Sequence, residues 1–342
     1  MKAQGLIDTA LAMVEGDKGL LAMDESNPTC NKRFEALGIP QTEEARRAYR
    51  ELLVTTPDIE LCISGAILSD ETIRQNAMNG ISFLDILTSK GIICGIKVDQ
   101  GAKEMARFPG EKITDGLDGL RARLVVYNTL GARFAKWRAV ITIGEEIPTN
   151  ACIEANSHAL ARYAAICQEE GLVPIVEPEV LMDGTHTIDK CSNVSGKVLR
   201  TLFNQLYKQR VDLRGIILKP NMILPGLDCP KQDDVETVAA ATISCLLETV
   251  PAAVPGIAFL SGGQPAELAT SRLNQMHRNR NKTLPWAITF SFARAIQQPA
   301  LEIWSGRREN VKAAQQALYH RASCNNAARR GEYSAAMEMY NY

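Results

Sequence analysis

Lys219 is the residue of this sequence best placed to act as a nucleophile. It closes the short apolar run Gly215–Leu218, and Pro220 follows it directly. Because proline cannot donate to a β-ladder, a strand formed by this run ends at the lysine. Burial at such a position favours the neutral amine, which is the form that attacks a carbonyl carbon. For one lysine taken alone, a strand-end side chain that extends into solvent is the simpler interpretation.

Lys97 and Lys136 end similar apolar runs and compete with Lys219 for the role of nucleophile. A neighbouring cation lowers the pKa of a lysine and frees its amine for attack on a ketone. If the registers of their strands match, we expect Lys136 and Lys219 to approach each other.

Three carboxylates are candidates for proton transfer beside these lysines. Glu177 and Glu179 flank Pro178 at the end of another apolar run. Residues i and i+2 of an extended strand point to the same face, so both can approach the lysines, as a general acid/base and a positioning partner. Asp24 follows the first run and is a candidate for a second proton transfer; the alternative for Asp24–Ser26 is a solvated turn.

An amine and a carboxylate pair suit Schiff-base chemistry. The iminium that a lysine forms with a ketone withdraws electrons from the neighbouring carbon, so the next C–C bond can break to leave an enamine. A carboxylate then takes the proton from the hydroxyl of the departing aldehyde. This reaction needs no metal, and the histidines have no ligand spacing, so we predict neither a metal site nor another cofactor.

Ser261, Gly262 and Gly263 end a further run and precede a predicted helix. Backbone N–H groups at such a helix start bind phosphate well. Arg294, three residues beyond Ser291, can add a charge-assisted contact. These residues predict an anionic carbonyl compound as substrate.

Eight short apolar runs must position these side chains, and each gap between them is long enough for a crossover helix. The runs are Gly19–Met23, Cys62–Leu68, Ile92–Val98, Phe134–Trp137, Leu172–Val176, Gly215–Leu218, Ile257–Leu260 and Ala287–Phe290. This rhythm predicts a single (β/α)₈ TIM barrel, in which the active site lies at the C-terminal ends of the strands. Candidate functional side chains follow every run except the second, which runs into Leu68 and Ser69 and offers no obvious candidate.

Composition excludes several other classes of protein. The net charge of −1 gives no reason to expect nucleic acid or an anionic membrane surface, and we interpret the basic stretch His277–Lys282 as a solvated loop. No apolar segment approaches the ~20 residues that span a bilayer, and the N-terminus lacks the apolar core of a signal peptide. The nine cysteines include no C-x-x-C pair, which indicates reduced thiols in a cytosol-like compartment.

Seven segments, in this order, closely resemble the class I fructose-bisphosphate aldolase family over almost the whole chain. They are Leu21–Ser26, Gly95–Asp99, Phe134–Arg138, Val173–Glu179, Leu218–Met222, Phe259–Gln264 and Pro285–Ser291. The first of them is similar to the photosynthetic, cyanobacterial and plastid-like branch. No transit peptide precedes it, so we expect either a bacterial cytoplasmic protein or a mature form from the plastid stroma.

The resemblance implies a role for each candidate residue. Lys219 would form the Schiff base, and Glu177 would be the principal acid/base in its formation and hydrolysis. Asp24 would handle the proton of the C4 hydroxyl, while Lys136 and Glu179 would tune and position the intermediate.

The resemblance also implies two phosphate sites. The residues expected around the C1 phosphate are Ser261, Gly262, Gly263, Ser291 and Arg294. Those expected around the far phosphate are Lys97, Ser26 and Arg33, and Arg138 is a further candidate phosphate contact. The segment Asn27–Cys30 departs from the Thr-Gly-Ser string of many family members.

The family's C-terminal tyrosine, which assists enamine protonation, matches Tyr342. We therefore predict a barrel over residues 1–330 and a flexible tail over 331–342 that reaches the active site. The family also implies a homotetramer.

The resulting hypothesis is reversible cleavage of fructose 1,6-bisphosphate to dihydroxyacetone phosphate and glyceraldehyde 3-phosphate, with sedoheptulose 1,7-bisphosphate as a second substrate. Such an enzyme would serve glycolysis, gluconeogenesis or the Calvin cycle. A Schiff-base transaldolase is an alternative, but it does not need two separated phosphate sites. A sugar-phosphate-binding or scaffold protein on an aldolase framework is the non-catalytic alternative.

Overall fold

The eight predicted strands form a closed parallel barrel in a computed structural model, which describes residues 2–278 and 283–339. Its strands are β1 (Gly19–Ala22), β2 (Ile63–Leu68), β3 (Ile93–Lys97), β6 (Phe134–Ile141), β7 (Val173–Val180), β8 (Ile217–Leu218), β9 (Gly256–Phe259) and β10 (Ala287–Phe292). Around the barrel they follow the order β1-β10-β9-β8-β7-β6-β3-β2. Each of the eight strands therefore pairs with the barrel strands before and after it in the chain, and β10 closes the barrel against β1. The (β/α)₈ prediction is confirmed.

Two further strands form an antiparallel hairpin that we did not predict. These are β4 (Ala102–Glu104) and β5 (Lys112–Thr114), inserted between the third and fourth barrel strands. The three residues of β4 are all exposed, so this short strand carries no apolar signal in the sequence.

Helices surround the barrel and fill the connections between its strands. They are α1 (Lys2–Val14), α2 (Asn27–Glu35), α3 (Glu43–Val54), α4 (Asp70–Ile73), α5 (Phe83–Ser89), α6 (Leu120–Leu130), α7 (Asn150–Glu169), α8 (Ile188–Lys208), α9 (Val235–Thr249), α10 (Ala266–Arg278), α11 (Arg294–Trp304) and α12 (Val311–Arg330). In the part of the chain that the structure describes, no helix is both long and apolar enough to cross a membrane.

The hydrophobic core has two parts, which together leave one end of the barrel for the polar site. The larger part lies between the strands and the surrounding helices. The smaller part joins side chains of α1, such as Met13 and Val14, to strand residues such as Leu20 and Phe134. Helix α1 therefore packs against the barrel's own interior core, and the polar strand ends gather at the other end.

Gly95 of β3 makes room inside the barrel for the ring of Phe134, its partner on β6. A Cβ at Gly95 would lie 2.1 Å from an atom of that ring. Since the ring is buried, it has no free space into which it can move.

We expect Gly95→Ala to destabilise the fold by about 1–3 kcal/mol, the usual range for an overpacked core. Gly5→Ala is the matched control, because Gly5 lies exposed in α1 and its added Cβ meets no atom within 4 Å; alanine there should stabilise by up to about 1 kcal/mol. Urea unfolding of both variants measures the two effects. Equal midpoints for Gly95→Ala and the wild type would contradict the packing described here.

A carboxylate helps to hold the segment after α12 against helices α10 and α12, together with the hydrogen bond that the backbone N–H of Tyr333 donates to Asn274 at 3.0 Å. Glu338, in the 3₁₀ helix Ala335–Glu338, accepts hydrogen bonds from Arg321 at 2.5 Å and from the Tyr333 hydroxyl at 2.6 Å. Burial alone would raise the pKa of Glu338, but the hydrogen bonds from Arg321 and Tyr333 outweigh it and lower the pKa below its usual value. The described part of the tail is thus fixed in place four residues before the chain's last residue.

This contact predicts a pH-dependent stability. The pKa of Glu338 is lower in the folded protein than in the unfolded chain. The stabilisation by Glu338 is therefore complete at pH values above its pKa in the unfolded chain, and it is lost as the pH falls through its pKa in the folded protein. The difference in unfolding midpoint between wild type and Glu338→Gln should therefore be constant above about pH 5 and shrink in more acidic buffer. Glu332→Gln is the control, since Glu332 forms an exposed ion pair with Arg330 that contributes little. A difference that grew on acidification would refute the prediction.

Candidate active site

An open cavity of about 1380 Å³ occupies the C-terminal end of the barrel. All fourteen predicted site residues within the described ranges line it: Asp24, Ser26, Arg33, Lys97, Lys136, Arg138, Glu177, Glu179, Lys219, Ser261, Gly262, Gly263, Ser291 and Arg294. The remaining one, Tyr342, lies outside the described residues. The strand ends thus converge on one cavity, as the barrel prediction requires.

Lys219 lies just beyond β8, and its backbone N–H still donates to the carbonyl of Val176 on β7 at 2.8 Å. Pro220 ends the ladder there, so the side chain turns into the cavity rather than along the sheet. The residue is only 4% exposed, and its Nζ lies 3.2 Å from Oε1 of Glu177. The amine therefore has a carboxylate beside it that can accept its proton.

Lys136 is the centre of a buried group of charges. Its Nζ lies 2.6 Å from Oδ2 of Asp24, 3.5 Å from Oε2 of Glu177 and 3.9 Å from Oδ2 of Asp99. Burial alone would lower the pKa of Lys136, but the charges of Asp24, Glu177 and Asp99 outweigh it and raise the pKa well above its usual range. Lys136 is therefore a permanent cation and not a free amine.

The same pairing acts on Asp24. Burial would raise the pKa of its carboxyl, but the charges of Lys136 and Lys219 lower it instead. Asp24 is thus an ionised carboxylate that lines the open cavity 2.6 Å from the ammonium of Lys136, and it can accept a proton from a bound molecule.

Glu177 connects the two lysines. One carboxylate oxygen faces Lys219 and the other faces Lys136. This brings Lys136 close to Lys219, as we expected from the strands they follow. Of the three lysines that compete for nucleophilic attack, Lys136 is excluded by its three acidic neighbours, and Lys97 Nζ is bound to Asp99 at 2.6 Å.

Glu179 does not contact the lysines, contrary to the geometry that we expected from its i+2 spacing. It is buried and forms its ion pair with Nε of Arg138, whose side chain is 43% exposed. On β6, Arg138 lies opposite Glu177, and Glu179 lies opposite Val140, so the contact runs diagonally across the two strands. The spacing of residues in the sequence predicts the face of the strand on which a side chain lies. It does not predict which residue of the neighbouring strand that side chain contacts.

The predicted C1 phosphate residues form a compact turn. Gly262 and Gly263 have φ values of 60° and 96°, a left-handed backbone that glycine adopts without strain. A Cβ on Gly263 would lie 3.1 Å from an Nη atom of Arg294. Ser291 Oγ is buried and has no hydrogen-bond partner among the described residues, so a ligand can supply one. Helix α10 begins at Ala266, just after this turn.

The predicted far-phosphate residues line the same cavity, and their side chains are already engaged. Arg33 pairs with Glu25 and donates to Gln298 Oε1 at 3.0 Å. Ser26 Oγ lies 2.9 Å from Oγ1 of Thr29.

Asp99 is the site residue to which our sequence reasoning assigned no role. It contacts Lys97 and Lys136, and its Oδ1 and Oδ2 accept from the backbone N–H groups of Gly101 and Arg138 at 3.2 and 3.3 Å. The i+2 rule that selected Glu179 also applies to Asp99, two residues after Lys97. That spacing was the available signal.

A possible set of metal ligands exists elsewhere in the described ranges. His320, Cys324 and Glu338 have ligand atoms within 4.8 Å of one another, beside α12 and away from the cavity. Glu338 is already bound by Arg321 and Tyr333.

Comparisons with known proteins agree with this architecture. The family model described as Glycolytic, fructose-bisphosphate aldolase class-I, matches residues 5–341. A probable fructose-bisphosphate aldolase class 1 from Xanthomonas axonopodis pv. citri is 56% identical over 334 residues, covering 97% of this chain and 99% of that protein. Fructose-bisphosphate aldolase 6, cytosolic, from Arabidopsis thaliana is 49% identical over 331 residues, covering 97% and 92%.

A solved structure gives the same result. The fructose-bisphosphate aldolase of Plasmodium falciparum, in a ternary crystal with TRAP and a small-molecule inhibitor, matches with a TM-score of 0.95 and 44% identity over 98% of this chain and 96% of that one. These similarities reach bacterial and plant cytosolic proteins and do not single out the photosynthetic branch. The chain therefore belongs to the class I fructose-bisphosphate aldolase family and is a lyase of that class.

Proposed function

We propose that this lyase cleaves fructose 1,6-bisphosphate reversibly to dihydroxyacetone phosphate and glyceraldehyde 3-phosphate through a Schiff base on Lys219. The observation that supports the proposal most directly is the contact of one buried carboxylate, Glu177, with both Lys219 and the permanently charged Lys136. Removing each of these charges from water costs several kcal/mol. A non-catalytic framework has no need to bear that cost.

In the first step, the neutral amine of Lys219 attacks C2 of the substrate ketone. Glu177, 3.2 Å from Nζ, frees this amine by taking one proton from its ammonium form. The attacking nitrogen passes a second proton to the alkoxide oxygen, and Glu177 returns the first proton to the carbinolamine hydroxyl, which leaves as water. The product is an iminium at C2. The ammonium of Lys136 keeps Glu177 oriented and keeps the local charge balanced.

In the second step, the C3–C4 bond breaks and its electron pair moves into the C2–C3 bond, which neutralises the iminium as an enamine. The C4 hydroxyl loses its proton as C4 becomes the aldehyde carbon. Asp24 is the carboxylate that receives this proton, and its hydrogen bond to Lys136 at 2.6 Å holds it in position. Glyceraldehyde 3-phosphate then leaves.

In the third step, the enamine gains a proton at C3 and water hydrolyses the iminium, with Glu177 again as acid/base. On the family resemblance, Tyr342 assists the protonation at C3. The contact between Glu338 and Arg321 supports a tail that is anchored four residues before Tyr342.

The two phosphates fix the sugar between the ends of the cavity. The turn Ser261–Gly263, with Arg294 and Ser291, would hold the C1 phosphate, and Lys97, Ser26, Arg33 and Arg138 are the candidates for the far one. Sedoheptulose 1,7-bisphosphate also carries two terminal phosphates and is a plausible second substrate for the same site. A homotetramer, a cytoplasmic or stromal location and a place in glycolysis, gluconeogenesis or the Calvin cycle stay predictions from the family resemblance.

Lys219→Met should abolish the Schiff base. We expect borohydride reduction with dihydroxyacetone phosphate, followed by peptide mass spectrometry, to find an adduct on Lys219 of the wild type and none on the variant. Cleavage should fall by 10³-fold or more, roughly the cost of losing a covalent nucleophile. A chelator should leave the wild-type rate unchanged.

Lys103→Met is the matched control for this experiment. Lys103 is an exposed lysine at the rim of the same cavity, and we assign it no role in the reaction. Its variant should retain both the adduct and the cleavage rate. An adduct on another lysine, with cleavage intact in Lys219→Met, would refute the proposed nucleophile.

Asp24→Asn should separate the two halves of the reaction. The amide cannot receive the C4 hydroxyl proton, so cleavage should slow by about 10²- to 10⁴-fold, the usual range for loss of a general base. Schiff-base formation with dihydroxyacetone phosphate involves no C3–C4 cleavage, so borohydride trapping should proceed as in the wild type. Equal losses in cleavage and in trapping would contradict the assignment of Asp24 to the second step.

A further inference from the structure

Arg272 is a buried cation that forms no ion pair with any carboxylate in the part of the chain that the structure describes. It lies in α10, is 4% exposed, and its Nε has no hydrogen-bond partner. Asp233 is the acid whose charge reaches it, but within the described ranges no ion pair under 4 Å joins the two.

Three other buried arginines have the carboxylate partner that Arg272 lacks within the described residues. Arg46 pairs with Glu71, Arg50 with Glu25, and Arg321 with Glu338. Arg272 instead donates from Nη1 to the neutral amide oxygen of Gln264 at 2.6 Å. Burial lowers the pKa of Arg272, but a guanidinium begins so high that it stays charged at neutral pH.

The contact to Gln264 leads directly into the turn that lines the cavity. Gln264 is buried, and its side-chain amide donates to the carbonyl of Ser261 at 3.0 Å, as does its backbone N–H at 3.0 Å. Because Arg272 is purely a donor, it requires the amide oxygen of Gln264 and so turns the amide nitrogen towards Ser261. The guanidinium therefore fixes the conformation of Ser261–Gly263 from behind.

A buried charge without a counter-charge is destabilising, so its retention needs a compensating gain. The turn in front of Arg272 faces the cavity, next to Arg294. A phosphate dianion on that turn would add a second negative charge to the distant one of Asp233, which forms no ion pair with Arg272 within the described residues. In a region of low dielectric constant, that attraction acts across the intervening glutamine without direct contact.

We propose that Arg272 is a positioning residue for the C1 phosphate. It holds the Ser261–Gly263 turn through Gln264 and adds a buried positive charge behind it, so that the site discriminates phosphorylated ketones from unphosphorylated ones. This inference rests on the proposed function, and it names the residue that sets phosphate affinity at one end of the cavity.

The first test measures stability with and without ligand. Arg272→Met removes the charge at similar volume, so the melting temperature of the free protein should stay the same or rise. The increase in melting temperature that dihydroxyacetone phosphate gives the wild type should shrink. Arg46→Met is the matched control: it leaves Glu71 without its bidentate partner, so it should lower the melting temperature and leave the ligand-induced increase intact.

The second test compares two ketones that differ only in the phosphate. In borohydride trapping on Lys219, the concentration of dihydroxyacetone phosphate needed for half-maximal labelling should rise about tenfold in Arg272→Met, which corresponds to one lost charge–charge interaction of moderate strength. The concentration of dihydroxyacetone should change less than about twofold. Arg272→Lys keeps the positive charge but loses the several N–H donors of the guanidinium. Its half-maximal concentration of dihydroxyacetone phosphate should lie between those of the wild type and Arg272→Met.

The outcomes separate the two hypotheses. Equal effects on both ketones, or a free protein destabilised with its ligand response intact, would overturn the role of Arg272 and leave the Schiff base standing. If the wild type forms no adduct with either ketone, the proposed function fails, and the inference is then decided by the melting temperatures alone. An increase in melting temperature with dihydroxyacetone phosphate that is smaller in Arg272→Met than in the wild type would still support the role of Arg272.

Discussion

The ion pair between Lys136 and Asp24 is the interaction on which the rest of the active site depends. Both side chains are almost fully buried, so removal of Lys136 would leave the Asp24 carboxylate without its 2.6 Å partner in a region of low dielectric constant. They come from β6 and β1, on different sides of a closed barrel. Glu177 on β7 joins them, and through it Lys219. Only a barrel that closes with the observed registers brings these four groups together.

Strand β8 is short because the chain must leave the sheet where Lys219 reaches Glu177. Pro220 ends the ladder after Lys219, and the connection to β7 is continued by a side chain: Oδ1 of Asn221 accepts from the N–H of Val180 at 2.9 Å, while its Nδ2 donates to Ser195 at 3.3 Å. A buried amide replaces backbone hydrogen bonds that a longer strand would have made. The chain leaves the sheet at the point where Lys219 reaches Glu177, and Asn221 keeps that departure rigid.

How much of this architecture the sequence predicts differs from level to level. The strands and the cavity they face could be predicted, because near-continuous apolar runs with polar ends carry a direct signal of a parallel barrel. The partners of individual side chains could not. Glu179 contacts Arg138 diagonally instead of a lysine, and Arg272 is a mid-helix residue whose burial depends on tertiary packing. Propensity and spacing describe one element at a time, whereas these contacts depend on how two elements are aligned.

The two ends of the cavity differ in how far their cations are already paired. At the far end, Lys97 is held by Asp99 and Arg33 by Glu25, so a phosphate that binds there must replace an existing anion or share its partner. At the C1 end, Arg294 forms no ion pair within the described residues, and Arg272 has no carboxylate partner there either. On the proposed function, this asymmetry favours strong retention of the C1 phosphate and easier exchange at the far end. The arrangement suits a reaction in which the far-end fragment leaves first while the other stays covalently bound to Lys219.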